Sequence, residues 1–183
     1  GAITAAQQGT VALLGGSVTN EGTITARMGT VAMGSGRQIT LDLAGDGLSQ
    51  LTVSEAALSA LVANGGALVA DGGQVLLTAR AVEALASGVI NQRGVARAQT
   101  LVERNGRIVL DGGDNGTTIV SGTLDTTGNT SGSKGGEIQV LGRNVGIVGN
   151  ATLDASGKAG GGNVLIGGDY QGRNVSVRNA EAT

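Results

Sequence analysis

The chain has 183 residues, 40% of them hydrophobic, with 35 glycines, one aromatic residue (Tyr170) and no proline, cysteine or histidine. A net charge of −2 gives no global field that favours nucleic acid or an anionic membrane. The missing cysteines and histidines exclude disulfides and remove the usual ligands of zinc, iron–sulfur and haem sites.

The core must therefore be built from Val, Ile, Leu and Ala. Collagen would need a strict three-residue period with proline, and glycine-rich linkers lack so many β-branched residues. Short Val/Ile/Leu/Thr runs broken by Gly, Asn, Asp and Ser point to an all-β chain with frequent turns. No apolar run approaches the roughly 20 residues of a membrane helix. The first residues lack the basic start and apolar centre of a signal peptide, so export would need a signal outside them.

In chain order, GTVAL at 9–13 predicts a strand and recurs as GTVAM at 29–33. Between them, NEGTITA at 20–26 predicts a second strand type. At 53–63, the spacing of apolar residues in VSEAALSALV predicts a helix, with Ser54 as N-cap and Asn64-Gly65-Gly66 as its stop. The first strand type returns as GGQVLL at 72–77, and a second short helix is predicted over 79–86. Then NQRGVARA (91–98), NGRIVL (105–110), SGTLDTTG (121–128), GGEIQVL (135–141), NATLDASG (150–157) and GGNVLI (161–166) alternate the two types. The full cycle runs over roughly 20 to 33 residues, in the range of solenoid repeats.

A unit this small cannot bury its inner face alone, but stacked parallel strands about 4.8 Å apart can. Alternation then places Leu124 and Leu153 inside, on successive levels, and Asp125 and Asp154 outside. The predicted fold is all-β: a right-handed parallel β-helix over 1–183, with helical excursions at 53–63 and 79–86.

Three runs carry a family resemblance: LSALVANGGALVADGGQVLLTARAVEAL, QTLVERNGRIVLDGG and ATLDASGKAGGGNVLIGGDYQG. They resemble the filamentous-haemagglutinin-like exoproteins of Gram-negative bacteria, including the high-molecular-weight adhesins, which are secreted by the two-partner route. The resemblance implies a right-handed β-helix, export through a dedicated outer-membrane barrel, an extracellular location, and roles in adhesion, aggregation or biofilm attachment. The NPNG- and NPHG-like turns of that family's secretion domain do not occur in this chain. That places the segment at or after the end of the domain, within a much longer protein.

The candidate sites are sparse. Asp111, Asp114 and Asn115 bring oxygens into one turn and are a calcium candidate, although two carboxylates make a weak site. The glycine-rich turns at 112–118 and 167–172 are flanked by strands and followed by no GKS or GKT, so they read as turns and not phosphate loops. Asp125 and Asp154 form the one carboxylate pair that a polysaccharide-cleaving β-helix enzyme could use. A solvated polar ladder is the plainer reading, and with Tyr170 the sole aromatic the chain reads as no enzyme and needs no cofactor. Asn115, Asn129, Asn150 and Asn174 begin Asn-x-Ser/Thr sequons and are candidate glycosylation sites. Arg80, Arg93, Arg97, Arg104 and Arg107, interspersed with Glu83 and Glu103, read as a solvated face. The expected function is a structural rod segment whose partner during export is the outer-membrane transporter. A self-assembling filament subunit, joined end to end, is the alternative; no nucleic acid or membrane insertion is expected.

Overall fold

The computed structural model describes residues 1–42, 49–82, 89–101, 104–175 and 177–183. The chain winds as a parallel β-helix whose coils each contribute three short strands. Coil 1 is β1 (Ala2–Thr4), β2 (Thr10–Gly15) and β3 (Ser17–Asn20). Coil 2 begins with β4 (Thr23–Thr25) and β5 (Thr30–Ser35). It then leaves the helix as an antiparallel hairpin, β6 (Gln38–Asp42) and β7 (Gln50–Glu55), and returns as β8 (Leu61–Asn64). Coil 3 is β9 (Ala67–Val69), β10 (Gln74–Ala79) and β11 (Ile90–Gln92). Coil 4 is β12 (Val95–Arg97), β13 (Arg107–Asp111) and β14 (Thr117–Val120), and coil 5 is β15 (Thr123–Asp125), β16 (Glu137–Leu141) and β17 (Asn144–Ile147). Coil 6 supplies β18 (Thr152–Asp154) and β19 (Asn163–Ile166).

Stacking these coils builds three parallel sheets. The first face is β1-β4-β9-β12-β15-β18, the second β2-β5-β10-β13-β16-β19, and the third β3-β8-β11-β14-β17. The two strand types read from the sequence are the first and second faces. The third face, and with it the three-sided coil, is an addition. Register partners on the first face lie 28 residues apart from Ala67 to Val95 and from Val95 to Thr123, within the expected cycle. Thr23 and Ala67 lie 44 apart because coil 2 carries the hairpin.

The helix expected at 53–63 does not form. Residues 53–55 finish β7, and 61–63 open β8. Apolar side chains are useful here at alternate positions: Leu51 and Val53 pair with Leu41 and Ile39 across the hairpin, so a period of two wins over a helical one. Of the helix expected at 79–86, Ala79 ends β10 and Ala81 makes a parallel bridge to Ala57; residues 83–86 lie outside the described residues.

Inside the coils, aliphatic columns run in register. Ile24, Leu68, Ala96, Leu124 and Leu153 form one, and Val31, Val75, Ile108 and Ile138 another. Leu124 is fully buried, and Leu153 packs on the same core from the last coil. Burying each such side chain contributes about 1.5–3 kcal/mol. β5 and β10 are buried along their whole length because the hairpin covers their outer side. Ser49 knots this cover to three coils. Its hydroxyl hydrogen-bonds that of Thr10 (2.8 Å), its N–H donates to Thr30 Oγ1 (3.0 Å), and its carbonyl accepts from Gln74 Nε2 (2.5 Å).

Glycine concentrates where coils touch. At the corner between third and first faces, Gly22, Gly66, Gly94 and Gly122 stack directly. A Cβ on Gly66, Gly94 or Gly122 would run into the carbonyl oxygen of the glycine one coil below. The need is for close approach, since no positive φ is required there. Just before these glycines, Asn20, Asn64 and Gln92 point inward and form a buried amide ladder. Asn20 Nδ2 donates to Asn64 Oδ1 (2.8 Å), and Asn64 Nδ2 donates to Gln92 Oε1 (3.1 Å). In the next two coils the same column holds Val120 and Ile147.

Candidate functional site

The corners divide the surface into a smooth side and a decorated one. Between third and first faces, β3, β8, β11 and β14 are each followed by only two residues before the next strand. The other two corners carry the hairpin and the longer loops, and these flank the second face. Chemistry-bearing residues therefore have to be sought along the second face and its edges.

Asp125 and Asp154 are brought together as expected, as register partners at the end of β15 and β18. Their carboxylates are engaged separately. Asp125 Oδ1 accepts the N–H of Thr127 (2.9 Å), and Oδ2 accepts Gln99 Nε2 (2.7 Å). Asp154 Oδ1 accepts the N–H of Ser156 (2.8 Å), and this backbone donor holds its carboxyl below the ordinary value. Each closes a turn at the corner leading to the second face, which gives the repeated TLD its physical meaning.

The calcium candidate also becomes a set of ion pairs. Asp111 Oδ2 meets Arg80 Nη2 at 2.7 Å, while Arg178 pairs with Asp114 and stands 3.8 Å from Asp111 Oδ1. Asp111 Oδ1 additionally accepts the N–H of Gly113 (3.0 Å). The Asn115 amide nitrogen donates to the Val82 carbonyl (3.1 Å). A cation would have to displace two guanidinium groups. Among the described residues no three acidic side chains stand together to hold a metal.

Arginines that cluster in the sequence reach to partners on other coils. Arg97 grips Asp71 with both Nε (3.0 Å) and Nη2 (2.8 Å), and Arg107 pairs with Glu137 at 3.1 Å. Arg93 stands 3.6 Å from Glu21, and Arg104 Nη1 donates to the Met28 carbonyl (3.2 Å). These pairings between neighbouring or next-but-one coils were not legible in the sequence, because they depend on loop lengths that set the register. The solvated-face reading holds for Arg93; elsewhere the charges tie coils together.

Of the sequon asparagines, Asn129, Asn150 and Asn174 are exposed, whereas Asn115 is half-buried. Among the described residues, a groove of about 280 Å³ runs beside Ser54, Arg80, Asp114 and Asn115, and two more flank the second face. One, of about 400 Å³, follows the corner floored by Gly106, Gly136 and Gly162 and edged by Arg107, Lys134 and Glu137. The other, of about 230 Å³, lies beside the hairpin over Leu76 and Val109. Tyr170, fully three-quarters exposed, contributes to neither.

These features define the class: a parallel β-helical solenoid whose polar side chains are largely used in joining coil to coil. Over its full length the chain is similar to the HMW1 secretion domain from Haemophilus influenzae, solved by crystallography, with a TM-score of 0.83 and 29% sequence identity. The chain spans 46% of the length of that domain. No family model matches the chain, and no curated protein matches it. The resemblance to the filamentous-haemagglutinin-like and high-molecular-weight-adhesin-like exoproteins, read from three runs of sequence, is borne out by this shared fold. No helix among the described residues is long and apolar enough to cross a membrane.

Proposed function

We propose that this chain is a rod segment of a secreted bacterial surface exoprotein of the two-partner type. It supports adhesion, aggregation or biofilm attachment by holding an active portion away from the cell. The observation that carries this reading is the continuous in-register stack from Ala2 to Ile166, in which the outer carboxylates and guanidinium groups pair with one another between neighbouring coils. Similarity to a secretion domain supports an extracellular location and export through an outer-membrane transporter. Parallel coils can form one upon another as a chain emerges unfolded.

Excising one coil tests it. Residues 95–122 form a whole repeat, bounded by Gly94 and Gly122 of the same glycine column. Removing them from the full-length protein lets β15 stack on β9. A scaffold retains secretion and adhesion near the wild-type level. Normal secretion with lost adhesion would place a binding site in the excised coil and refute the reading.

A second reading, end-to-end association of chains with these bounds, is favoured by the exposed Ile3 on coil 1 and Val164 and Ile166 on coil 6. Sedimentation of the chain over a concentration series tests it; a strictly monomeric species at high concentration removes it.

A further inference from the structure

Two devices, on different corners and built from different residues, span the same three coils and stop together. Outside, Ser49, immediately before β7 of the hairpin, contacts Thr10 of coil 1, Thr30 of coil 2 and Gln74 of coil 3. Ser49 is 2% exposed and Gln74 6%, so the bonds to Thr30 and Gln74 are shielded from water, while the contact with Thr10 is part-buried. Inside, the amide ladder joins Asn20 of coil 1, Asn64 of coil 2 and Gln92 of coil 3. Asn64 and Gln92 are fully buried. At coil 4 both end: Val120 takes the ladder position, and the outward side of β13 carries Arg107, Val109 and Asp111 beside the open groove.

Aliphatic columns cannot distinguish one register from another two residues away, because a shift of two keeps the same residues inside. A buried amide tolerates no such slip, since displacement leaves its donors and acceptor unpaired in a dry core. The ladder and the Ser49 knot therefore act as register locks, and they lock the first three coils only. Further on, one buried bond, from the Thr118 hydroxyl to the Leu141 carbonyl (2.7 Å), joins coil 4 to coil 5; the charged joints are exposed or half-exposed ion pairs such as Arg107–Glu137 and Arg143–Glu181, which contribute much less than a buried amide ladder.

We infer that coils 1–3 form one cooperative folding unit, the register-defining seed, on which coils 4–6 add as a separately opening unit. The inference stands on these contacts alone and holds whether or not the segment serves as an adhesin rod. In this scheme the hairpin is a strap that completes the seed. It closes over coil 1 and coil 2 as it folds and is fastened when Gln74 of coil 3 arrives.

Hydrogen exchange of the native chain in rising denaturant tests this, read by mass spectrometry on peptides covering each strand. The expected result is one protected block comprising β3, β5, β8, β10 and β11, which persists after β16, β17 and β19 have opened. Uniform opening of all coils, or loss of coils 1–3 before coils 4–6, would overturn it. Asn64→Val breaks the ladder with a side chain of the kind that Val120 places in that column. Ser49→Ala removes a single hydroxyl contact and keeps the backbone bonds, so it remains informative should Asn64→Val not fold. Each is expected to lower protection throughout the block together, by about tenfold for one buried hydrogen bond, and to leave β16 and β19 unchanged. An effect confined to residues touching the altered side chain refutes the seed.

Discussion

Gly94→Ala and Gly16→Ala are chemically the same substitution, and the fold gives them opposite signs. At Gly94 the added methyl meets the carbonyl oxygen of Gly66, with the Gly65 carbonyl carbon at 2.7 Å. That Gly66 oxygen accepts the N–H of Val95 (2.9 Å) and the amide of Asn64 (3.3 Å), so relief of the clash must lengthen both bonds. Overpacking costs about 1–3 kcal/mol, and the weakened hydrogen bonds add about 1 kcal/mol. The sum is a loss of about 2–4 kcal/mol. Gly16 has nothing within 4 Å of the added atom and no positive φ, so alanine there is neutral or stabilises by up to about 1 kcal/mol through the unfolded chain. Urea unfolding followed by far-ultraviolet circular dichroism measures both, from the shift in midpoint at constant slope. Equal effects of the two substitutions, or a tolerated Gly94→Ala, would refute the close-approach role of the glycine column.

Three further outcomes are expected. Leu124→Ala empties a fully buried site next to Ala96, a neighbour too small to fill the space, so it destabilises by about 3–4 kcal/mol in the same unfolding assay. The Asp154 carboxyl is held below its ordinary value, so its contribution is present above the unfolded value of about 4 and is lost as pH falls through the lower folded value. Asp154→Asn is therefore less stable than the wild type near pH 6, and the gap closes in acid; a gap independent of pH contradicts the turn contact. In material from the native host, intact-mass and peptide analysis should find hexose on exposed Asn129 or Asn150 before half-buried Asn115, whose amide is bonded to the Val82 carbonyl. Modification of Asn115 alone, or no hexose at all, counts against the glycosylation reading.

How far the sequence discloses the fold depends on what each face must bury. The first and second faces repeat TIT, TLD, GTVAL and GGNVLI because their inward columns are purely aliphatic and their corners need glycine, so period and turn chemistry coincide. The third face escapes detection. Its inward positions mix Val18, Val62, Ile90, Thr118 and Val145 with Asn20, Asn64 and Gln92, and no hydrophobic pattern announces a strand such as INQ. The hairpin was hidden by the helical spacing of VSEAALSALV, although the alternation in QITLD and QLTVSE carries its signal. Among the candidate site residues, the stacking of Asp125 on Asp154 was legible from the repeated TLD. Their separate capture by Thr127 and Ser156 was not, and neither was the pairing of Asp111 with Arg80, which joins residues 31 apart across one coil.

Successive coils stack in parallel register, each displaced by one strand spacing. With no native cysteine, the chain can be spin-labelled cleanly at pairs of introduced cysteines. Labels at Thr23 with Val95, and at Thr23 with Thr152, sit on outward positions of the first face, two and four strands apart. Their backbone separations should be about 10 and 19 Å, rising by about 4.8 Å per coil. Electron–electron distance measurements that show this steady increment support the stack. A Thr23–Thr152 separation shorter than that of Thr23–Val95, or one far beyond four strand spacings, contradicts it.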